Sequence, residues 1–108
     1  MELIDEIEEL IMMHQEGPYW DFKREWYDDS KDGDLLIDII CMANNLVDRD
    51  AYIIIGVNEE CDYAIQDVSQ DANRRNTQML TDFIRGKKFA GDFRPVVTVE
   101  QVHWMVDW

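Results

Sequence analysis

The run from Ala51 to Val57, AYIIIGV, is the part of the sequence that most constrains the fold. It is almost continuously apolar and rich in β-branched residues, a pattern typical of a central strand that is buried on both faces. Hydrophobic residues make up 46% of the 108 residues, which is enough to bury a sizeable core. We therefore expect one domain, over residues 1–108, built around this strand.

Three amphipathic segments predict helices. They cover residues 1–14, 34–46 and 72–85, and each carries apolar side chains at helical spacing. Asp71 is the expected cap of the third helix, and Gly86 is its expected stop. The apolar face of this helix is predicted to turn four side chains toward the core: Met79, Leu80, Phe83 and Ile84.

Alternating segments predict further strands. In Tyr19–Lys23, Trp20 and Phe22 would face the core, which leaves Asp21 and Lys23 together on the opposite face. A short return strand is expected over residues 63–65, and residues 95–108 alternate like a strand with a phase change near residues 100–101. These segments predict an α+β domain with about three helices and a mixed or antiparallel sheet of about four to six strands. Because the chain stops inside an alternating run, we expect it to be the N-terminal fragment of a longer protein.

The charge balance bears on possible partners. The chain has 24 acidic and 10 basic residues and a formal net charge of −14, so it repels polyanions at long range. Nucleic-acid affinity depends largely on cations placed against phosphates, so a local basic patch or a bound metal ion would be needed. Cys41 and Cys61 form no CxxC motif and are expected as reduced thiols of a cytoplasmic protein. No apolar run approaches the length of a membrane span, so no membrane partner is expected.

Six basic residues lie within a short span of the sequence. If they share one face, they form the best candidate for a nucleic-acid-binding surface. The six are Arg74, Arg75, Arg85, Lys87, Lys88 and Arg94. For those at the end of the third helix, the alternative is simple compensation of the helix dipole.

Acidic residues near two predicted strands are candidates for a metal site. Glu16 precedes the first strand, which contains Asp21 and Lys23, and Glu59 follows the Ala51–Val57 strand. Clustered carboxylates bind hard divalent cations such as Mg²⁺ or Mn²⁺, which prefer oxygen ligands. From the residues alone, the alternative is that Asp21 and Lys23 form a solvated ion pair of little energetic value.

Three segments together resemble the Schlafen AlbA-like domain family. EGPYWDFK (16–23) is similar to its opening acidic and Phe-Lys motif, MANN (42–45) to its Ala-Asn-Thr segment, and IIIGVNE (53–59) to its hydrophobic strand with Gly-Val and a following acidic residue. The similarity spans about residues 17–102. Asp21 stands where the family has Glu, and the family's Gly-Gly after Asn-Thr is absent.

The resemblance implies a function and a site. Some Schlafen relatives are metal-dependent RNA endonucleases with three acidic residues, and the matching positions here are Glu16, Asp21 and Glu59, with Lys23 beside them. The family is common at the N-terminus of longer bacterial proteins described as ATP-binding or transcriptional regulators. The chain has no P-loop, so ATP binding would require sequence outside it.

The function expected first is a nucleic-acid-binding or regulatory module of a larger bacterial protein. It would contact RNA or DNA and the downstream domains of its own parent chain. One alternative is an endoribonuclease that uses the acidic triad with Mg²⁺ or Mn²⁺. The other is a protein-interaction or oligomerisation sensor that makes no contact with nucleic acid.

Overall fold

The computed structural model describes residues 2–45, 47–87 and 94–103. These residues form an α+β fold with three helices and four short strands, which confirms the predicted fold class. The helices are α1 (Leu3–Met12), α2 (Asp32–Ala43) and α3 (Thr77–Arg85). The strands are β1 (Trp20–Lys23), β2 (Tyr52–Ile55), β3 (Val57–Asn58) and β4 (Ala64–Ile65), and single 3-10 turns cover Asp29–Lys31 and Glu59–Cys61.

The strands form two small sheets that meet at Gly56. β1 and β2 are parallel, with Trp20 opposite Tyr52, and β3 pairs with β4 in the antiparallel sense. Gly56 has a φ of 106°, its N–H donates to the carbonyl of Lys23 (2.7 Å), and its carbonyl accepts from the N–H of Gln66 (2.7 Å). A Cβ at this position would lie 2.8 Å from the Gln66 carbonyl oxygen, so only glycine fits where the chain passes between the sheets.

Apolar clusters cover both faces of the β1–β2 sheet. The first cluster joins α1 to the sheet through Ile7, Leu10, Ile11, Trp20, Phe22 and Val57. The second joins α2 to α3 through Tyr27, Leu35, Ile39, Leu80 and Ile84. Ile54 packs against the first and Ile53 against the second, because successive side chains of a strand point to opposite faces.

The prediction that the central strand is buried on both faces is wrong in degree. All four residues of β2 are only half-buried, although apolar side chains lie against both faces. Among the described residues β2 is hydrogen-bonded to β1 alone, so its other edge carries no neighbouring strand. A strand with one paired neighbour keeps part of its surface open to solvent.

The third helix begins five residues later than predicted. It starts at Thr77, and its cap is Asn76, whose side chain accepts a hydrogen bond from the Met79 N–H (2.8 Å). The predicted cap, Asp71, instead accepts from the N–H groups of Trp26 (3.0 Å) and Asn73 (2.8 Å). With this start, Met79 is 49% exposed rather than inward, because Leu80 and Ile84 occupy the buried face.

Other predicted elements differ in their bounds. The second helix spans Asp32–Ala43 rather than 34–46, and the predicted return strand is confirmed as β4. Residues 94–103 form no strand, although Val97 and Val99 pack against the second cluster. The rest of the predicted last strand, residues 104–108, lies outside the described residues, as does Lys88.

Two further expectations concern the thiols and the membrane. Cys41 and Cys61 are both exposed and do not form a disulfide. Within the described ranges, no helix has the length and apolar character needed to cross a membrane.

Candidate functional site

Three carboxylates meet in the structure, two from around the first strand and one from nearly forty residues later in the sequence. Glu16 lies in the loop between α1 and β1, Asp21 lies within β1, and Glu59 begins the 3-10 turn after β3. One oxygen from each lies within 4.8 Å of the others. Oxygens that share one Ca²⁺ ion at about 2.4 Å lie up to about 4.8 Å apart, and those around Mg²⁺ up to about 4.2 Å. Small side-chain rotations would therefore bring all three onto one hard divalent cation.

The side chain of Trp20 holds the loop that carries Glu16. Its indole Nε1 donates to the carbonyl of Gln15 (2.8 Å), and its backbone carbonyl accepts from the Gly17 N–H (3.2 Å). The indole ring lies directly over Gly17, where a Cβ would come within 2.1 Å of Cη2. Because Trp20 is itself buried in the first cluster, the core fixes the position of the loop.

Glu59 is positioned by the two residues before it. Val57 is buried in the first cluster, and Asn58 is also buried. The Asn58 side chain accepts a hydrogen bond from the Glu60 N–H (3.1 Å) and so caps the short turn that Glu59 begins. The β3 segment thus ends with Glu59 directed toward β1.

Asp21 is the buried member of the cluster, with 8% of its surface exposed. Lys23 lies beside it, with Nζ 3.4 Å from Asp21 Oδ2 and 3.5 Å from Asp38 Oδ2. The predicted pairing of Asp21 and Lys23 on one strand face is confirmed, but the pair is mostly shielded from solvent rather than solvated. A buried carboxylate needs compensating partners, and Lys23 is the cation that the chain itself supplies.

Asp38 and Tyr27 extend this polar group and were not predicted from the sequence. Asp38 Oδ2 accepts a hydrogen bond of 2.5 Å from the Tyr27 hydroxyl. The available signal was the position of Asp38 on α2, where it lies one turn after Leu35 on the border of the buried face. An acidic residue at such a position faces the sheet, but only the packing of α2 on the sheet selects Lys23 as its partner.

Two side chains of this group have shifted pKa values. For Lys23, partial burial acts to lower the pKa, but attraction to Asp21 and Asp38 and hydrogen bonds with both outweigh it and raise the pKa. Lys23 is therefore a protonated ammonium at neutral pH. Burial, followed by the hydrogen bond to Asp38, raises the pKa of Tyr27, which keeps its hydroxyl protonated. Among the described residues, one cation beside four carboxylates leaves the site strongly negative.

The basic residues before α3 differ in their accessibility. Arg75 turns inward, and its guanidinium binds Asp32 (2.9 Å) and approaches Asp29 (3.7 Å), with 11% of the side chain exposed. Arg74 is exposed, and its guanidinium donates to the carbonyl of Ser69 (2.9 Å). Both residues precede the helix rather than beginning it as predicted.

The basic residues at and after the end of α3 differ in exposure, and Lys87 is half-buried. Arg85 is exposed and lies 3.7 Å from Asp82, and Lys87 Nζ lies 4.8 Å from the centre of the Phe83 ring. Arg94 is exposed as well. Of the predicted surface, Arg74, Arg85, Lys87 and Arg94 therefore remain as candidates for contact with phosphates, and this role stays a prediction.

These features define an α+β domain with a carboxylate cluster between its strands, and comparison with known families identifies the class. The model of the Schlafen, AlbA_2 family matches residues 16–104, which is most of the chain and includes all three clustered carboxylates and Lys23. The chain belongs to this family. Membership identifies it, at the level of the family, as a nucleic-acid-associated module. Searches of curated proteins and of solved structures found no match.

Proposed function

We propose that this domain binds nucleic acid through a divalent cation, Mg²⁺ or Mn²⁺, held by Glu16, Asp21 and Glu59. The observation that carries the proposal is the convergence of these three carboxylates to within 4.8 Å. The cation would contact the phosphodiester backbone of RNA or DNA, and the domain would act as the nucleic-acid-binding module of a larger bacterial protein.

The overall charge of the chain explains why a metal would be required. At a net charge of −14, the protein repels phosphates unless positive charge is concentrated locally. A divalent cation in the cluster offsets the repulsion among three neighbouring carboxylates and leaves coordination positions for phosphate oxygens. The exposed residues Arg85 and Arg94, and the half-buried Lys87, would contact phosphates farther along the strand.

The test compares two triple variants with the same chemical changes. The site variant is Glu16→Gln, Asp21→Asn and Glu59→Gln. The control variant is Glu8→Gln, Glu9→Gln and Asp5→Asn, on the exposed face of α1. Each removes three negative charges, so both lower the general repulsion of polyanions equally. Mn²⁺ binding by the protein alone is measured by electron paramagnetic resonance, and RNA and DNA binding by fluorescence anisotropy with Mn²⁺ or with EDTA.

The wild type and the control variant are expected to bind Mn²⁺ and to gain nucleic-acid affinity from it. The site variant should lose both properties, although its reduced negative charge alone would favour binding. Equal Mn²⁺-dependent binding by the two variants would contradict the proposal. A folded wild type that binds neither ligand but self-associates would instead be a protein-interaction module.

Phosphodiester hydrolysis is the second candidate, and the placement of Lys23 favours it. Its ammonium lies 3.4 Å from buried Asp21, where it could stabilise negative charge on a phosphate bound to the same cation. The metal would orient a water molecule that attacks phosphorus as the ester P–O bond breaks. The test is cleavage of a structured RNA, and of DNA of the same sequence, with Mn²⁺. Cutting by the wild type and by Asp5→Asn, but not by Asp21→Asn, would support it, whereas intact substrate with folded, Mn²⁺-loaded wild type would refute it.

A further inference from the structure

Three aromatic rings form a stack that runs from the first apolar cluster to the surface. Phe22, which is buried in β1, meets Tyr63 edge to face, with ring centroids 5.5 Å apart and an interplanar angle of 77°. Tyr63 in turn stacks face to face on His14, with centroids 4.6 Å apart and an interplanar angle of 20°. The stack therefore ends in the imidazole of His14.

The outer end of this stack is open to solvent. The His14 side chain is 49% exposed, although Tyr63 covers one face of the ring and the Asp62 carboxylate lies 3.6 Å from Nδ1. The exposed part of the side chain therefore lies outside the ring face that Tyr63 covers. A flat ring fixed from behind and open in front is the arrangement on which proteins stack unpaired bases.

The stack joins the two segments that supply Glu16 and Glu59 to the carboxylate cluster. His14 precedes Glu16 by two residues, and Tyr63 follows Glu59 by four, so the ring contact connects the same two segments. Two residues of chain span at most about 7 Å, so the His14 backbone lies close to that of Glu16.

The backbone on both sides of the ring contact has an unusual conformation. His14, Asp62 and Tyr63 have φ values of 51°, 55° and 58°, in the left-handed region that residues other than glycine seldom adopt. Histidine and aspartate tolerate this region better than most residues, but tyrosine does not, and the packing of Tyr63 between Phe22 and His14 must offset the cost.

We propose that the exposed face of His14 stacks an unpaired nucleobase of the bound strand, beside a phosphate at the carboxylate cluster. This inference rests on the proposed function and specifies its ligand as single-stranded nucleic acid, or a single-stranded loop, since the bases of a duplex already stack on one another. One sugar joins a base to its phosphate, so both can be held by the neighbouring His14 and Glu16 positions.

The test uses two substitutions that separate the ring from the backbone. His14→Asn removes the ring and keeps a residue that tolerates the left-handed region, whereas His14→Phe keeps a flat ring and removes the ring nitrogens. Affinity is measured with Mn²⁺, and again with EDTA at low salt, for a short single strand and for its duplex. A single strand with one 2-aminopurine reports stacking through fluorescence quenching. Mn²⁺ binding by each protein alone is measured in parallel.

His14→Asn is expected to bind the single strand about 5- to 150-fold more weakly and to lose the quenching, with duplex affinity and Mn²⁺ binding unchanged. His14→Phe should retain most of the single-strand affinity. Three outcomes would each overturn the stacking proposal. They are wild-type single-strand affinity in His14→Asn, an equal loss of affinity in both variants, and a wild type that binds no nucleic acid. A different outcome would refute the metal-mediated function but not the stacking. In it, His14→Asn alone loses single-strand affinity, and the wild type binds equally well with Mn²⁺ and with EDTA.

Discussion

Replacing Gly17 by alanine is expected to push the loop that carries Glu16 away from the indole of Trp20. The added Cβ would lie 2.1–2.5 Å from three ring carbons, whereas carbon atoms in contact are ordinarily about 3.5 Å apart or more. The loop and the ring must therefore separate by about 1.4 Å at the closest point. Since Trp20 is buried among α1 side chains, most of this movement falls on the loop.

The structure gives the size of the effect. Overpacking of this kind costs about 1–3 kcal/mol of the free energy of unfolding. The separation also breaks the 2.8 Å hydrogen bond from the Trp20 indole to the Gln15 carbonyl, which contributes about 1 kcal/mol. The expected total is about 2–4 kcal/mol, which would lower the melting temperature by about 10 °C or more.

Gly33→Ala provides the matched control, because the chemical change is the same and the surroundings differ. Gly33 lies in the first turn of α2, and a Cβ there would meet no heavy atom within 4 Å. This substitution should stabilise the protein by about 0.4–1 kcal/mol, since alanine restricts the unfolded chain. Urea unfolding gives both free energies, and Mn²⁺ affinity under folding conditions reports the position of Glu16. Equal unfolding midpoints for Gly17→Ala and the wild type would refute the claim that the indole fixes this loop.

Two further predictions concern a buried hydroxyl and a helix cap. The folded state raises the pKa of Tyr27 above its ordinary 10.0, so the unfolded state loses the proton first as the pH rises. The contribution of Tyr27 to the free energy of unfolding is therefore complete below pH 10.0 and decreases above it. Tyr27→Phe should lower the free energy of unfolding by about 1 kcal/mol at pH 7 and reduce its decrease at alkaline pH, as measured by urea unfolding. An unchanged alkaline decrease would contradict the attribution of this pH dependence to Tyr27. Asn76→Ala should destabilise α3 by about 1 kcal/mol and Asn76→Ser by much less, whereas equal thermal stabilities would exclude a capping role.

Local patterns in the sequence were sufficient for most of the elements. Helical periodicity located α1 to within two residues at each end, and alternation located β1, including the opposite faces of Trp20 and Asp21. The start of α3 could not be placed in this way, because Asp71 and Asn76 are both good capping residues. The choice depends on the backbone of Trp26, which is distant in sequence and engages Asp71.

The residues of the carboxylate cluster could be predicted from the sequence, but not all of the residues around the cluster could. Glu16, Asp21 and Glu59 were proposed from their places near two strands and from a family resemblance, and the structure brings them together. Asp38 was missed because its position one turn after Leu35 indicates only that it lies near the buried face of α2, not which residue it contacts. Its contact with Lys23 exists only because α2 packs across the sheet.

The sequence by itself determined the helices and strands, the inward faces of α1 and β1, the excess of negative charge and the identity of the clustered carboxylates. The helices, strands and inward faces follow from the order of residue types along a few turns of chain, and the charge follows from composition. The carboxylates were identified by their places near two strands and by the family resemblance. Only the tertiary structure decided that Arg75 turns inward to Asp32 and that Tyr63 supports His14 beside the cluster. Such contacts join segments far apart in sequence, and their geometry depends on how the whole core packs.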